Sequence, residues 1–231
     1  MPELVDMPND ELITRGNEAM ANRKYSRAVI YYKNVILNAD NPNNARYAQK
    51  SMGDAYFNNK DYTDAIAAYE VYVELYRRTP DTPFVLFQLG MSYRAISLSA
   101  PRDQTSTIKA SENFDELKML YPVQYEQYMA DRYSSEMRER LAEHEYRVAK
   151  YYYNLKHDNS SIMRSSRLIE KYPDFTLTEQ TYRILILALA RNGEERNVKA
   201  AAEYLSYFKR TYPNSKFNKE LTRAVEKRLK S

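Results

Sequence analysis

Cysteine and tryptophan are absent from this chain, and its 231 residues include only four glycines and two histidines. Without cysteine there is no disulfide framework, no thiolate nucleophile and no metal site built on sulfur. The histidines, His144 and His157, lie 13 residues apart, which is not metal-ligand spacing on one helix. His144 reads as a surface or half-buried helix residue. Four glycines are too few for a sheet protein rich in tight turns, and they are too scattered to form a phosphate-cradling loop. No apolar run is long enough to span a membrane. Met1 to Asp10 contains neither a charged segment leading into an apolar one nor a lipid-acceptor cysteine. A charge excess of one sign is also missing: 35 basic and 31 acidic residues leave +4. That balance fits a solvated mixed-charge surface and argues against a nucleic-acid-binding tract. Carboxylates such as Glu143 and Glu145 alternate with Arg140 and Arg147, as on a charged helix face. No catalytic residue, cofactor or metal site is therefore expected, and the chain is not read as an enzyme.

What is abundant is tyrosine, 23 in all, whose apolar body and polar tip suit half-buried helix seams. Ala, Leu, Glu, Lys and Arg favour helix. Gly16, Gly53 and Gly90 are spaced 37 residues apart, and Tyr25 with Tyr62 and Ala28 with Ala65 repeat the interval. Such a period marks stacked helix pairs, none of which can bury its apolar face alone. Small residues in register allow the two helices of a pair to approach closely. The first unit spans about Glu11 to Pro42 and the second about Ala45 to Pro80. Gly-x-x-Tyr, then Tyr-x-x-Ala, then a terminal Pro resembles the tetratricopeptide repeat. A third unit opens at Gly90 and Tyr93, but its alanine, Ala110, comes eight residues late. The surplus lies in Ser97 to Thr107, a loop either functional or merely tolerated. Tyr121-Pro122, Tyr172-Pro173 and Tyr212-Pro213 set a second register, each proline 12 residues after Ala110, Ser161 or Ala201. The fold expected is all-α: a right-handed superhelical solenoid of about five tetratricopeptide-like helix pairs. Long connecting helices are expected around Tyr125 to Leu155 and a capping helix within Asn214 to Ser231. In that cap Phe217, Leu221 and Val225 face inward, and Lys216, Lys219, Arg223, Lys227 and Arg228 face water.

In a tetratricopeptide array the first helix of each pair lines a concave face. Counting from the small residue places Tyr47, Lys50, Asp54 and Phe57 along one stripe of the second unit. The same count gives Phe84, Phe87, Met91 and Arg94 in the third unit, and Ile13, Asn17 and Met20 in the first. Phenylalanines and methionine edged by Lys50 and Arg94 would suit an extended peptide with an aromatic end residue, its carboxylate meeting a cation. The competing view is that Phe84 and Phe87 belong to the core, since Leu86 and Leu89 share their helix.

Three later runs carry a more specific resemblance. The first is Arg102-Asp103-Gln104-Thr105 with Ala110, Phe114 and Tyr121-Pro122. The second is Arg140-Leu141-Ala142-Glu143-His144-Glu145 with Val148-Ala149 and Tyr151-Tyr152. The third is Arg167 to Pro173. Together they resemble the BamD family, tetratricopeptide lipoproteins of the outer-membrane β-barrel assembly machinery, over about residues 10 to 220. The resemblance implies a protein on the periplasmic face of the outer membrane, anchored by an N-terminal lipid that this chain does not carry. It implies, as partners, the periplasmic domains of the barrel protein BamA and the C-termini of unfolded outer-membrane proteins, with room for other assembly lipoproteins. Residues 1–10 would form an N-terminal segment, 11–122 the substrate-tail repeats, and 123–231 the barrel-docking repeats with the cap. Arg191, at the edge of an expected polar turn from Asn192 to Val198, and Tyr207 are the docking candidates. His157-Asp158-Asn159-Ser160 departs from the family pattern and predicts looser packing there. The alternatives are another tetratricopeptide adaptor, either a periplasmic cell-envelope coordinator or a cytosolic chaperone adaptor. The latter calls for a Lys/Asn clamp, of which only Asn17 and Lys50 offer parts.

Overall fold

A computed structural model describes residues 7–39, 41–97 and 102–230. Twelve α-helices and no strand occupy the described residues. Helices α1 (Asn9–Ala21) and α2 (Tyr25–Asn38), α3 (Pro42–Asn58) and α4 (Tyr62–Leu75), and α5 (Thr82–Ile96) and α6 (Thr105–Leu120) form three hairpins, each packed on the next. After them come α7 (Pro122–Gln127), the long α8 (Ala130–Asn154), α9 (Asp158–Lys171), α10 (Thr178–Asn192), α11 (Glu195–Thr211) and α12 (Asn218–Leu229). The helices fall into two compact units, one running up to Met137 and the other from Arg138, so the division lies inside α8.

The three glycines sit where an aromatic ring crosses. A Cβ on Gly16 would stand 2.6 Å from Tyr32 Cε1, one on Gly53 2.5 Å from Tyr69 Cε1, and one on Gly90 2.7 Å from Phe114 Cε1. Each ring lies four residues, one helical turn, beyond the small residue of the second helix. Ala28, Ala65 and Ala110 are fully buried, as are Tyr69 and Phe114. Gly thus makes room for a ring, and the ring fills the seam.

A shared turn joins the hairpin helices. Arg23, Lys60 and Lys156 take the left-handed conformation, with φ of 57°, 67° and 60°. The amides that follow reach back to the helix end: Lys24 N to Ala19 O, Asp61 N to Tyr56 O and His157 N to Tyr152 O. This is the Schellman arrangement, with a long cationic residue where glycine is usual. The α10–α11 turn uses Gly193 at φ 80°. That turn is shorter than the sequence suggests: α11 already begins at Glu195, and Val198 is buried. Met129, at φ 50°, separates α7 from α8. Of the expected insertion, residues 98–101 lie outside the described residues. Beyond them the Asp103 carboxylate accepts from Thr105 N and Oγ1 at 3.3 and 2.9 Å as α6 opens.

The second unit uses other pairs. Ser161 is fully buried and its hydroxyl donates to Ala149 O at 3.1 Å, tying α9 to α8. The Asp158 carboxylate is paired with Arg191 (2.6 Å). The segment from His157 to Ser160 is therefore held by polar contacts at Asp158 and at the following Ser161, while none of its four residues is buried. Leu185, Ile186, Phe208, Leu221 and Val225 make the core in which α12 closes α10 and α11. Leu221 and Val225 face inward and Lys219, Arg223 and Lys227 are exposed, as the capping pattern requires.

Replacing Gly53 by Ala should cost about 1–3 kcal/mol by overpacking against Tyr69. Chemical denaturation would measure it, and Tyr69→Leu added to Gly53→Ala should recover part of the loss. A neutral Gly53→Ala would show that the seam has slack.

Candidate peptide groove

The first helices of the three hairpins, α1, α3 and α5, bring most of the predicted stripe into one unit. Its centre is α5, where Phe84 and Phe87 are half-buried. Phe87 sits 5.1 Å from the Tyr128 ring, 5.9 Å from Tyr133 and 6.3 Å from Phe114, centroid to centroid. Phe84 meets Tyr128 edge-on at 6.4 Å. Met91 packs into the same cluster. The two readings of these phenylalanines thus merge: they join the core through Phe114 and keep an accessible side. Tyr128, at the end of α7, and Tyr133, in the first turn of α8, complete the belt, and no spacing rule pointed to them.

The two edge cations are already engaged. Lys50 stands 4.9 Å over the Phe84 ring and 3.2 Å from Asp54 Oδ2. Arg94 stacks 5.1 Å over Tyr133 and donates from Nε to Glu136 Oε2 at 2.8 Å. Both ion pairs are partly exposed, so an incoming carboxylate competes with an internal one for a half-hydrated cation. The other oxygen of Asp54 accepts from Tyr69 OH at 2.7 Å. Asn17 Oδ1 accepts from both Tyr32 OH (2.7 Å) and Tyr47 OH (2.8 Å). Asn17 and Lys50 are therefore committed to neighbours and do not stand as a paired clamp. Tyr47 remains exposed. Phe57 turns edge-on to Tyr62 at 5.5 Å, and Met20 packs on the α1–α2 core.

Seam and groove are linked through the phenols. Tyr32 and Tyr69 fill the glycine notches with their rings and reach the groove with their hydroxyls. Burial, and then the Asp54 charge beside Tyr69, hold the Tyr69 phenol well above its ordinary pKa. Burial does the same to Tyr32, helped by Tyr47 and Asp54.

In the other unit Arg191 is a structural knot. Its guanidinium donates from Nε to both Asp158 oxygens, at 2.8 and 3.1 Å, and from Nη2 to Asp158 Oδ1 and to Tyr153 O, each at 2.6 Å. It also lies 4.2 Å over the Tyr153 ring. Tyr207 is exposed, with its ring 5.4 Å from Tyr182. Among the described residues no cluster of His, Cys, Asp or Glu is arranged to hold a metal ion. No described helix is long and apolar enough to cross a membrane.

Fold and site together define the class: an all-α helix-hairpin repeat protein with an aromatic face edged by ion pairs. The family model YfiO, described as an outer membrane lipoprotein, matches residues 5–205, and the chain belongs to that family. The outer membrane protein assembly factor BamD of Haemophilus influenzae is 24% identical over 191 residues, 77% of this chain and 71% of that protein. BamD of Neisseria meningitidis serogroup A is 23% identical over 224 residues, 92% and 82% of the two chains. Among solved structures, the MamA protein aligns with a TM-score of 0.41 at 18% identity, over 92% of this chain and 94% of that one.

The raised phenols carry a pH consequence. An ordinary tyrosine ionises near pH 10. Below that value the seam phenols are neutral in both states, and their stabilisation is fully present. As pH climbs past 10, the unfolded chain gains tyrosinates that the folded seams resist, so stability falls. The thermal midpoint should drop steeply above about pH 10. The double variant Tyr32→Phe/Tyr69→Phe should flatten that slope, and an unchanged slope would exclude these phenols as the cause.

Proposed function

We propose that this protein is a non-enzymatic scaffold and receptor in outer-membrane protein assembly, held at the periplasmic face of the outer membrane by an N-terminal lipid. Its family and its BamD relatives support the assembly role. The observation that carries the receptor reading is the belt of Phe84, Phe87, Tyr128 and Tyr133 between Lys50 and Arg94. A half-buried aromatic face accepts an aromatic end residue with little reordering. An adjacent arginine exchanges an internal carboxylate for the terminal one of a chain. In this reading residues 11–122, completed by Tyr128 and Tyr133, receive the C-terminal signals of unfolded outer-membrane proteins. Residues 123–231 dock the periplasmic domains of the barrel protein BamA, with Tyr207 as the exposed contact. Arg191 would act there by holding α8, α9 and α10 in place.

Fluorescence anisotropy with a labelled peptide from an outer-membrane protein's C-terminus tests this, against a scrambled peptide and one lacking the terminal aromatic. Phe87→Ala should weaken binding about tenfold or more with helicity intact. Glu136→Gln removes the competing carboxylate and should tighten binding several-fold. Equal affinity for all three peptides, or no change in either variant, would exclude the groove as receptor. A chain ending at Pro173 should no longer co-purify with the barrel protein; co-purification would place docking elsewhere.

A further inference from the structure

The charge of this chain is concentrated at one end. Residues 209–230 contain eight lysines and arginines against two carboxylates, Glu220 and Glu226. That surplus of six exceeds the +4 of the whole chain, so the remainder is slightly acidic. One of the two carboxylates is already occupied: Glu220 takes a forked pair of hydrogen bonds from Arg183, both 2.6 Å. Lys219, Arg223, Lys227 and Lys230 follow at intervals of four, four and three along α12 and just past its end, and so share one face. The row is about 16 Å long. The opposite face is fixed in the core by Leu221 and Val225. Lys209 of α11 stands across from the row, and between them is an open cleft of about 680 Å³ with Glu226 as its one carboxylate. All five cations are exposed. Six arginines elsewhere in the protein, Arg77, Arg94, Arg147, Arg164, Arg183 and Arg191, each hold a carboxylate instead.

The chemistry of the cleft narrows its partner. Protein interfaces are enriched in Tyr, Met and Arg and depleted in Lys, and their binding energy comes from aromatic anchors in pockets. This cleft is lined by four lysines and one arginine, with Asn218 and Thr222, and by no aromatic or aliphatic side chain. Lysine is a hydrated point charge without the fork that reads a carboxylate in one orientation. A row of such charges suits an array of anions in which no single position must match. An anionic lipid surface is such an array, and it attracts basic residues within a Debye length. We infer that the basic face of α11 and α12 is a docking surface for the phosphate headgroups of anionic lipids. Leu229, exposed at the end of α12, would meet the same surface. The inference stands on this end of the molecule alone and does not depend on the peptide groove.

Co-sedimentation of the full chain with vesicles tests it. Binding is expected to vesicles containing phosphatidylglycerol and not to pure phosphatidylcholine, and it should weaken as salt is raised. The exposed triple variant Lys219→Gln/Arg223→Gln/Lys227→Gln should lose affinity on the order of a hundredfold. The control Lys24→Gln/Arg27→Gln/Lys33→Gln removes the same charge from α2 and its approach, and should bind as the parent does. Equal loss in both triples would reduce the effect to net charge and overturn the site. So would equal binding to both vesicle types. Capture by polyglutamate or by inorganic phosphate without vesicle association would assign the cleft to a different anion. Circular dichroism of the triples separates lost binding from lost fold.

Discussion

Everything in the first unit depends on a ring lying where a side chain has been removed. A tyrosine or phenylalanine is too large to sit between two helices at close-packing distance unless one helix presents only backbone there. Gly16, Gly53 and Gly90 do so, with a hypothetical Cβ of each within 3.0 Å of a ring atom. The arrangement settles two things at once. It fixes the separation of the hairpin helices, and for Tyr32 and Tyr69 it aims the hydroxyl across the seam at Asn17 and Asp54. The polar floor of the groove is therefore positioned by the apolar packing behind it. Asp54 in turn holds Lys50 over Phe84. A change in seam width would be felt at the groove without touching any of its residues.

The second unit meets the same geometric need with other volumes. Twelve residues before Ser161 is Ala149, and twelve before Ala201 is Leu189; four residues after each lie Ser165 and Leu205. The pairing runs Gly with Tyr, Gly with Tyr, Gly with Phe, then Ala with Ser, then Leu with Leu. Ala and Ser are both small, and there the buried Ser161 hydroxyl, bonded to the facing backbone, stands in the seam, while Leu189 and Leu205 join one apolar cluster. Close packing requires that the volume between the helices be filled, and it leaves open which helix fills it. For this reason the 37-residue period was legible over the first three pairs and faded afterwards, although helix pairs continue. The later pairs could be found through their turns, because Tyr-Pro marks a helix end whatever the seam contains.

The site was legible only where it lies on a periodic helix. Phe84, Phe87, Met91 and Arg94 follow from the register of Gly90, and all four pack into one cluster or stack at its edge. Tyr128, Tyr133 and Glu136 do not follow from it. They come from a segment that breaks at Met129 and folds back onto α5. Their sequence separation from Phe87 and Arg94 is about forty residues, set by no helical spacing rule. The polar turn expected at Asn192 to Val198 failed for a related reason: Asn, Glu and Arg open a helix as readily as they form a loop.

The cations show why composition was silent on function. Arg191, Arg94 and Lys227 count equally toward +4, yet their surroundings give them three different capacities. Arg191 is saturated by a carboxylate, a backbone carbonyl and a ring, and half-buried; removing it would leave Asp158 without its partner, which makes it part of the fold. Arg94 holds one carboxylate in partial contact with water, so a second carboxylate can replace the first at little net cost. Lys227 holds none, and its nearest neighbours along the row carry the same sign. Repulsion among Lys219, Arg223, Lys227 and Lys230 makes the bare row slightly unfavourable in the free protein, and any apposed anion relieves it. The gradient from saturated to exchangeable to unpaired is visible only after the chain has folded and each charge has found, or failed to find, its counterion.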